Sequence, residues 1–306
     1  MRINPAFLGA TLYMPATRDD LVDVASGARY PDLRSLVVCL EDSIRDDQVD
    51  AALTQFRRFL SQLRLLESTS ARRPYLFVRP RDAFMLQAIS AMTGLDLVDG
   101  FVIPKATAKS LPDYLSAISL RHHLIMPTIE TREAFDPVAM RRLRDQLRAV
   151  HDHVLAVRIG GNDLLQTIGA RRSTTRTAYD GPLGLVIANI ATTFIPWGFA
   201  VSAPVLECYA DAALLTAEVE RDLEHGLITK TVAHPSQIAP IHRAYEVSAA
   251  DYDAACAILK DDAPAVFGRS GVMTEPATHR GWAECTLTRA ETFGVRIDTP
   301  TLSLVS

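Results

Sequence analysis

The stretch Leu155-Ala-Val-Arg-Ile-Gly-Gly-Asn-Asp-Leu-Leu165 decides the fold. An apolar run of strand length ends in two glycines, an acid follows at Asp163, and a helix-like segment comes next. Glycine lets the chain turn sharply and lets a ligand approach the backbone. A carboxylate just past the C-terminal end of a strand is where an α/β barrel keeps its chemistry. A second acid, Glu130, ends an earlier apolar run, Leu124-Ile-Met-Pro-Thr-Ile-Glu. Together Glu130 and Asp163 suit one divalent cation, with the other strand ends around it.

Working outward, eight short apolar runs can be counted, each followed by helix-like sequence. They begin at Ala10, Leu36, Tyr75, Gly100, Leu124, Val154, Phe199 and Thr231. Runs this short and rich in Val, Ile, Leu and Phe suit strands buried on both faces. The segments between them have helical spacing: Val49, Leu53, Phe56 and Leu60 fall on one face. Eight βα units predict a TIM barrel, typically about 250 residues long. A doubly wound open sheet is the competing architecture. The polar residues at nearly every strand end favour the barrel.

The barrel is expected over residues 1–245, with an insertion at 169–197 over its mouth. Residues 246–306 are expected to form a helical, oligomerising extension. The insertion's first part, Arg171-Arg-Ser-Thr-Thr-Arg-Thr-Ala-Tyr-Asp-Gly-Pro, is polar and turn-rich. Its second part, from Leu183 to Phe194, is apolar and reads as a helix. In the extension, Ser248 is a natural N-cap, a hairpin-like turn follows Phe267, and a last helix from Thr278 to Phe293 is closed by Gly294.

Composition narrows the function classes. The chain has 306 residues, 48% hydrophobic and 22% charged, with a net charge of -4, so nothing predicts nucleic acid or an anionic membrane as a partner. No run of about 18 apolar residues is present, so no transmembrane helix is expected. The four cysteines are widely spaced and show no zinc pairing; they read as reduced thiols of a cytoplasmic protein. Small-molecule chemistry remains.

The strand ends supply Glu41, Asp42, Arg79, Lys105, Glu130, Asp163, Glu207 and His234. Each has a plainer reading. Glu130 could face a helix dipole, and Asp163 could cap the helix starting at Leu164. Arg79 could form a structural ion pair. Lys105 could be solvated, and His234 could be a packing histidine. The arginines Arg171, Arg172 and Arg176 could be a solvated loop, or could hold an anionic group such as a phosphate. The combination of acids, arginine and lysine on separate strand ends raises the functional reading.

In this light the chain resembles the citrate lyase beta-subunit-like branch of the HpcH/HpaI aldolase superfamily. The resemblance rests on Leu12-Tyr-Met-Pro-Ala, Leu40-Glu41-Asp42, Val78-Arg79, Pro104-Lys105, Ile129-Glu130-Thr131, Gly161-Asn-Asp163-Leu164, and Lys230 with His234-Pro-Ser-Gln237-Ile238, in order along nearly the whole chain. It implies a Mg²⁺-dependent carbon–carbon lyase on a TIM barrel, with Mn²⁺ as a substitute. By this likeness Glu130 and Asp163 are the metal ligands and Arg79 holds the substrate's oxygens. Lys105, Gly160, Gly161, Lys230 and His234 would line the substrate site. Asp42 is the first candidate for the general base and Glu41 the second. The substrate would be a hydroxy or keto acid bearing a carboxylate, or its CoA ester, and the protein a homo-oligomer such as a trimer.

Three positions depart from the family pattern. Cys39 and Asn162 stand where acids are common, and Thr274, beside Glu275, matches a position where some members place a neighbouring subunit's catalytic aspartate. The insertion resembles the variant found in proteins of tellurite-resistance gene clusters. Two other readings stay open: an acyl-CoA thioesterase or phosphoenolpyruvate-type lyase on the same scaffold, and a non-catalytic ligand-binding barrel, which these departures allow.

Overall fold

A computed structural model describes residues 3–66, 73–269 and 271–296. Eight parallel strands close into a barrel in sequence order: β1 (Ala10–Pro15), β2 (Ser35–Cys39), β3 (Tyr75–Arg79), β4 (Gly100–Ile103), β5 (Leu124–Ile129), β6 (Val157–Ile159), β7 (Val201–Ala203) and β8 (Thr229–Val232). The ring shuts where Ala10 pairs with Lys230 and Leu12 with Val232. The TIM barrel expected from the eight runs is therefore what the chain forms, and no open sheet edge remains in it.

The strands are short because the barrel wall needs only a few residues, and they are apolar because both faces are covered. Side chains alternate in and out along each strand. Val37, Phe77, Val102, Met126 and Ala156 meet in one buried cluster with Leu8 and Leu155. Leu8 comes from the turn Pro5–Leu8 ahead of β1, so this cluster fills the N-terminal half of the ring. The C-terminal half is left for polar groups.

Helices form the outer layer: α1 (Leu21–Ala25), α2 (Val49–Leu66), α3 (Ala83–Ser90), α4 (Leu111–Ala117), α5 (Pro137–Arg148), α6 (Gly161–Thr167), α7 (Pro182–Phe194) and α8 (Ala212–Glu224). In α2 the buried stripe is Ala52, Phe56, Phe59, Leu60 and Leu63, rotated slightly from the face read in the sequence. Asp82, Asp136 and Asp211 cap α3, α5 and α8 by accepting first-turn N–H bonds.

Two helices, α6 and α7, stand between β6 and β7. The apolar part of the insertion is α7, and it packs against α5 as part of the outer ring. None of the residues of the polar part lines the cavity at the strand ends. It is fastened to α8: Arg172 pairs with Glu218, the Ala178 N–H donates to Glu218 (2.8 Å) and the Tyr179 hydroxyl donates to Asp222 (2.6 Å).

The chain divides into two compact units after Ile241, inside α9 (Ile238–Tyr245). The second unit pairs β9 (Val247–Ser248) with β12 (Val295–Arg296). It packs α10 (Ala249–Ile258) on α11 (Pro276–Phe293) through Ala255, Ile258 and Ala283. Ser248 caps α10, accepting from the Asp251 N–H (3.0 Å). The hairpin of β10 (Phe267–Arg269) and β11 (Val272–Thr274) is where the turn was read, and Gly294 ends α11 at φ 95°. Thr274 is buried opposite Phe267, and Glu275 is the N-cap residue of α11.

Candidate active site

A cavity of about 270 Å³ opens at the C-terminal ends of the strands. Its wall includes Glu41, Asp42, Arg79, Glu130, Gly160, Gly161 and Asp163, so seven of the candidate site residues named from the sequence come together. Strand parity explains why. Arg79 is two and four residues beyond the inward-facing Phe77 and Tyr75, and Glu130 has the parity of Met126. Glu41 and Asp42 follow β2, and Asp163 lies in the first turn of α6.

Arg79 is the centre of the charge network. Its Nε donates to Glu41 (2.8 Å), and its Nη2 donates to Glu41, to Glu130 (3.0 Å) and to Asp42 (3.4 Å). Lys105 is not in the cavity wall. Its ammonium pairs with Glu41 and Asp42 (3.1 Å), and its backbone N–H donates to Glu130 (2.7 Å). That N–H is aimed by a left-handed backbone at Lys105, φ 47°, which for a side chain of this size costs about 1–2 kcal/mol. The strain sits where Glu130 is held.

Glu130 is 3% exposed, and burial raises its carboxyl to about 7 against the charge of Arg79, with Asp163 adding to the rise. The Asp163 carboxyl is also raised, by burial first and then by Asp42. For Asp42, burial pushes upward, but hydrogen bonds with Glu41 and Lys105 and the charges of Lys105 and Arg79 outweigh it, leaving the carboxyl below its ordinary value. Arg79 and Lys105 are both raised: burial opposes their charge, but the surrounding carboxylates prevail.

Gly160 is required by packing. A Cβ there would overlap Oε2 and Cβ of Glu130, so only glycine lets β6 pass beside that carboxylate. A Cβ on Gly161 would come within 2.9 Å of Pro204.

The donor set fits a hard divalent cation. Two carboxylates of raised pKa face one cavity, and at the rim four acids (Glu41, Asp42, Glu130, Asp163) stand against two cations (Arg79, Lys105). Among the described residues no three His, Cys, Asp or Glu side chains form a closed cage. Two carboxylates with water and substrate oxygens is the way Mg²⁺ is usually held.

Two expected substrate residues lie elsewhere. Lys230 is fully buried on the outward face of β8, where its ammonium donates to Glu218 (3.0 Å) and Asp222 (2.8 Å) of α8. Its neighbour Thr231 faces the cavity instead. His234 is exposed, caps the turn Pro235–Gln237 through the Ser236 N–H (3.2 Å) and stacks on Tyr209. The motif around it is a clamp. Gln237, 1% exposed, accepts from the Ala233 and His234 N–H groups and donates to the Leu206 carbonyl (2.9 Å).

Arg158 was not anticipated. It is 1% exposed in β6, lines the cavity, and reaches across the ring to Thr231 (2.6 Å) and Thr11 (3.5 Å), with its guanidinium 5.3 Å from the Tyr13 ring centre. A charged residue two places before Gly160, inside an apolar run, was the available signal. Cys39, which stands where an acid is common in the family pattern, is buried and forms part of the cavity wall. Asn162, at an acid position of the family pattern, donates to Glu207 (3.0 Å).

The chain is 23% identical over 246 residues to a (3S)-malyl-CoA thioesterase of Cereibacter sphaeroides, covering 80% of each. Among solved structures it matches CitE of Mycobacterium tuberculosis in complex with magnesium, acetoacetate and coenzyme A, with TM-score 0.69 and 21% identity over 94% of this chain and 99% of that one. It also matches RipC of Yersinia pestis, with TM-score 0.59 and 19% identity over 81% and 99%. A third match is the M. tuberculosis citrate lyase beta subunit with oxaloacetate and magnesium, with TM-score 0.57 and 20% identity over 79% and 99%. These likenesses agree with the citrate lyase beta-like resemblance of the motifs, and at such identities the structures speak to the fold. The family model of the carbon–carbon bond lyases of the TIM-barrel fold matches residues 2–295, and the chain belongs to that family.

Proposed function

We propose that the protein is a Mg²⁺-dependent carbon–carbon lyase that cleaves, by aldol or Claisen chemistry, a hydroxy or keto acid bearing a carboxylate, or its CoA ester. The observation that carries this reading is the convergence of Glu130, Asp163 and Arg79 on one cavity, with both carboxyls raised by burial and by neighbouring acids. Glu130 and Asp163 would hold the cation, with Mn²⁺ able to substitute. When bound, the metal supplies a Lewis acid for the oxygens of a developing enolate.

The chain's own residues would do the rest. Asp42, ionised and half-exposed at the rim, takes the proton of the substrate hydroxyl. That C–O bond becomes a carbonyl, the adjacent C–C bond breaks, and its electron pair passes to the acyl or keto oxygen as an enolate. Arg79, fixed by Glu41 and Glu130, donates to those oxygens; one such preorganised donor is worth about 10²–10³ in rate. Protonation of the enolate carbon releases the second product. Glu41 is a weaker candidate for the base, because Arg79 and Lys105 engage its carboxylate. Its place is to orient both cations. Arg158 puts positive charge at the cavity floor, which favours a substrate with an anionic group at that end.

Calorimetric titration with Mg²⁺ or Mn²⁺ tests the reading. Glu130→Ala or Asp163→Ala should abolish binding, and unchanged binding would remove the metal assignment. The curated relatives favour a second reading, hydrolysis of an acyl-CoA thioester on the same scaffold. Product analysis separates the two: a thioesterase releases free CoA with the carbon skeleton intact.

A further inference from the structure

The insertion between β6 and β7 lines most of a second cavity, open on one side, of about 110 Å³, room for roughly three or four waters. Its wall includes Arg171, Arg172, Ser173, Arg176, Asp180 and Gly181. Arg172 is the informative member. Its side chain is 5% exposed, and its Nη2 is engaged by Glu218. Its Nε and Nη1 are buried and have no acceptor among the described residues. Buried N–H donors left this way are costly, so an acceptor in the adjoining space would stabilise them.

Other features of the same wall call for a negative charge. Arg171 and Arg176 bring two further guanidinium groups. Helix α7 also starts here, and its N-cap is Gly181, which has no side chain to accept the first-turn N–H groups. The positive end of the helix dipole therefore faces this region. Asp180 is an opposing charge, but its carboxylate accepts from the Thr177 N–H (2.9 Å) and hydroxyl (2.7 Å) and so closes the loop's own turn.

We propose that this cavity is a binding site for a phosphate group, held by Arg172, Arg171 and Arg176 at the start of α7. A tetrahedral dianion matches the forked donors of arginine, and a helix N-terminus completes such a site. The volume suits one phosphate. Leu183 borders this cavity and also lies next to Gly161 at the mouth, where a Cβ would stand 3.3 Å from it. The group is therefore either free phosphate or the phosphate of a longer substrate whose other end reaches the mouth. The proposal does not depend on the lyase chemistry, since binding is read without metal.

The test titrates metal-free protein with inorganic phosphate, with CoA and with dephospho-CoA, comparing wild type with Arg171→Ala/Arg176→Ala and with Arg172→Lys. At least one probe should bind, and each variant should weaken it by about tenfold or more. Binding of inorganic phosphate that neither CoA compound exceeds assigns a free-phosphate site. Tighter binding of CoA or dephospho-CoA, lost in the variants, assigns the phosphate of a nucleotide-bearing substrate. If wild type binds none of the probes, or the folded double variant binds them as wild type does, the proposal is overturned. Should Arg172→Lys fail to fold, the double variant decides. Mg²⁺ affinity, measured in parallel, should be unchanged in the double variant; its loss would point to the mouth instead.

Discussion

Burial raises the Glu130 carboxyl to about 7 despite Arg79, with Asp163 adding to the rise, and this has two measurable consequences. A folded-state pKa above the unfolded value favours the protonated form in the fold, so the stability from Glu130 is full below its unfolded pKa of 4.5 and is lost as pH rises through about 7. The stability difference between wild type and Glu130→Gln should fall by on the order of 3 kcal/mol across that window in metal-free protein, measured by denaturant unfolding. A flat difference would mean the carboxyl is not shifted. A cation must also displace that proton, so Mg²⁺ binding below pH about 7 should release close to one proton, read from calorimetry in buffers of different ionisation enthalpy. Two substitutions probe the neighbours. Arg79→Lys keeps the charge but loses the fork that spans Glu41 and Glu130, and should lower kcat by about 10²–10³ with the fold intact. Gly160→Ala puts a methyl where Glu130 lies and should cost about 1–3 kcal/mol together with metal affinity; retention of both would show that the carboxylate is free to move.

At the level of elements, β8, α8 and the insertion are joined by Lys230, Glu218, Asp222 and Arg172, two acids and two cations in a buried network. Removing one partner leaves uncompensated charge in the interior, so Lys230→Met should destabilise the protein by about 3–5 kcal/mol. A stable Lys230→Met protein with weakened substrate binding would instead return Lys230 to the mouth. This is also where the sequence was least legible. Lys230 follows a motif order that ends at the rim, but residues alternate between the two faces of a strand, and Thr231 rather than Lys230 has the inward parity. His234 and Gln237 likewise sit in a motif whose visible work is to clamp the turn after β8. Arg158 was hidden for the opposite reason: an apolar run reads as core, and its one charged member faces inward only because Gly160 does. What could be read were short apolar strands, several with acids just past their ends. The closing of a ring turns eight such ends toward one point, and this is why Glu41, Asp42, Arg79, Glu130 and Asp163 were found together without knowledge of distances.

For the whole molecule, the expected homo-oligomer finds its best footing in the second unit. Its two-stranded hairpin, β10 and β11, carries Val272 at 64% exposure and Met273 at 61%, with Val266 just ahead at 55%. Two-stranded hairpins are marginal by themselves, and contiguous exposed apolar side chains on one are more common at interfaces than on free surfaces. A second copy of this chain is the simplest cover for them. Wild type should then sediment as a multiple of the 33.6 kDa chain, and Val272→Glu/Met273→Glu should sediment as a single chain with unaltered helical content. The same variant asks whether the site in the first unit is complete within one chain. Glu130 and Asp163 belong to a single barrel, so Mg²⁺ affinity should survive dissociation, whereas turnover should fall if a neighbouring subunit supplies a group to the substrate. A wild-type protein that sediments as one chain would remove the interface, and with it any role for a neighbour in catalysis.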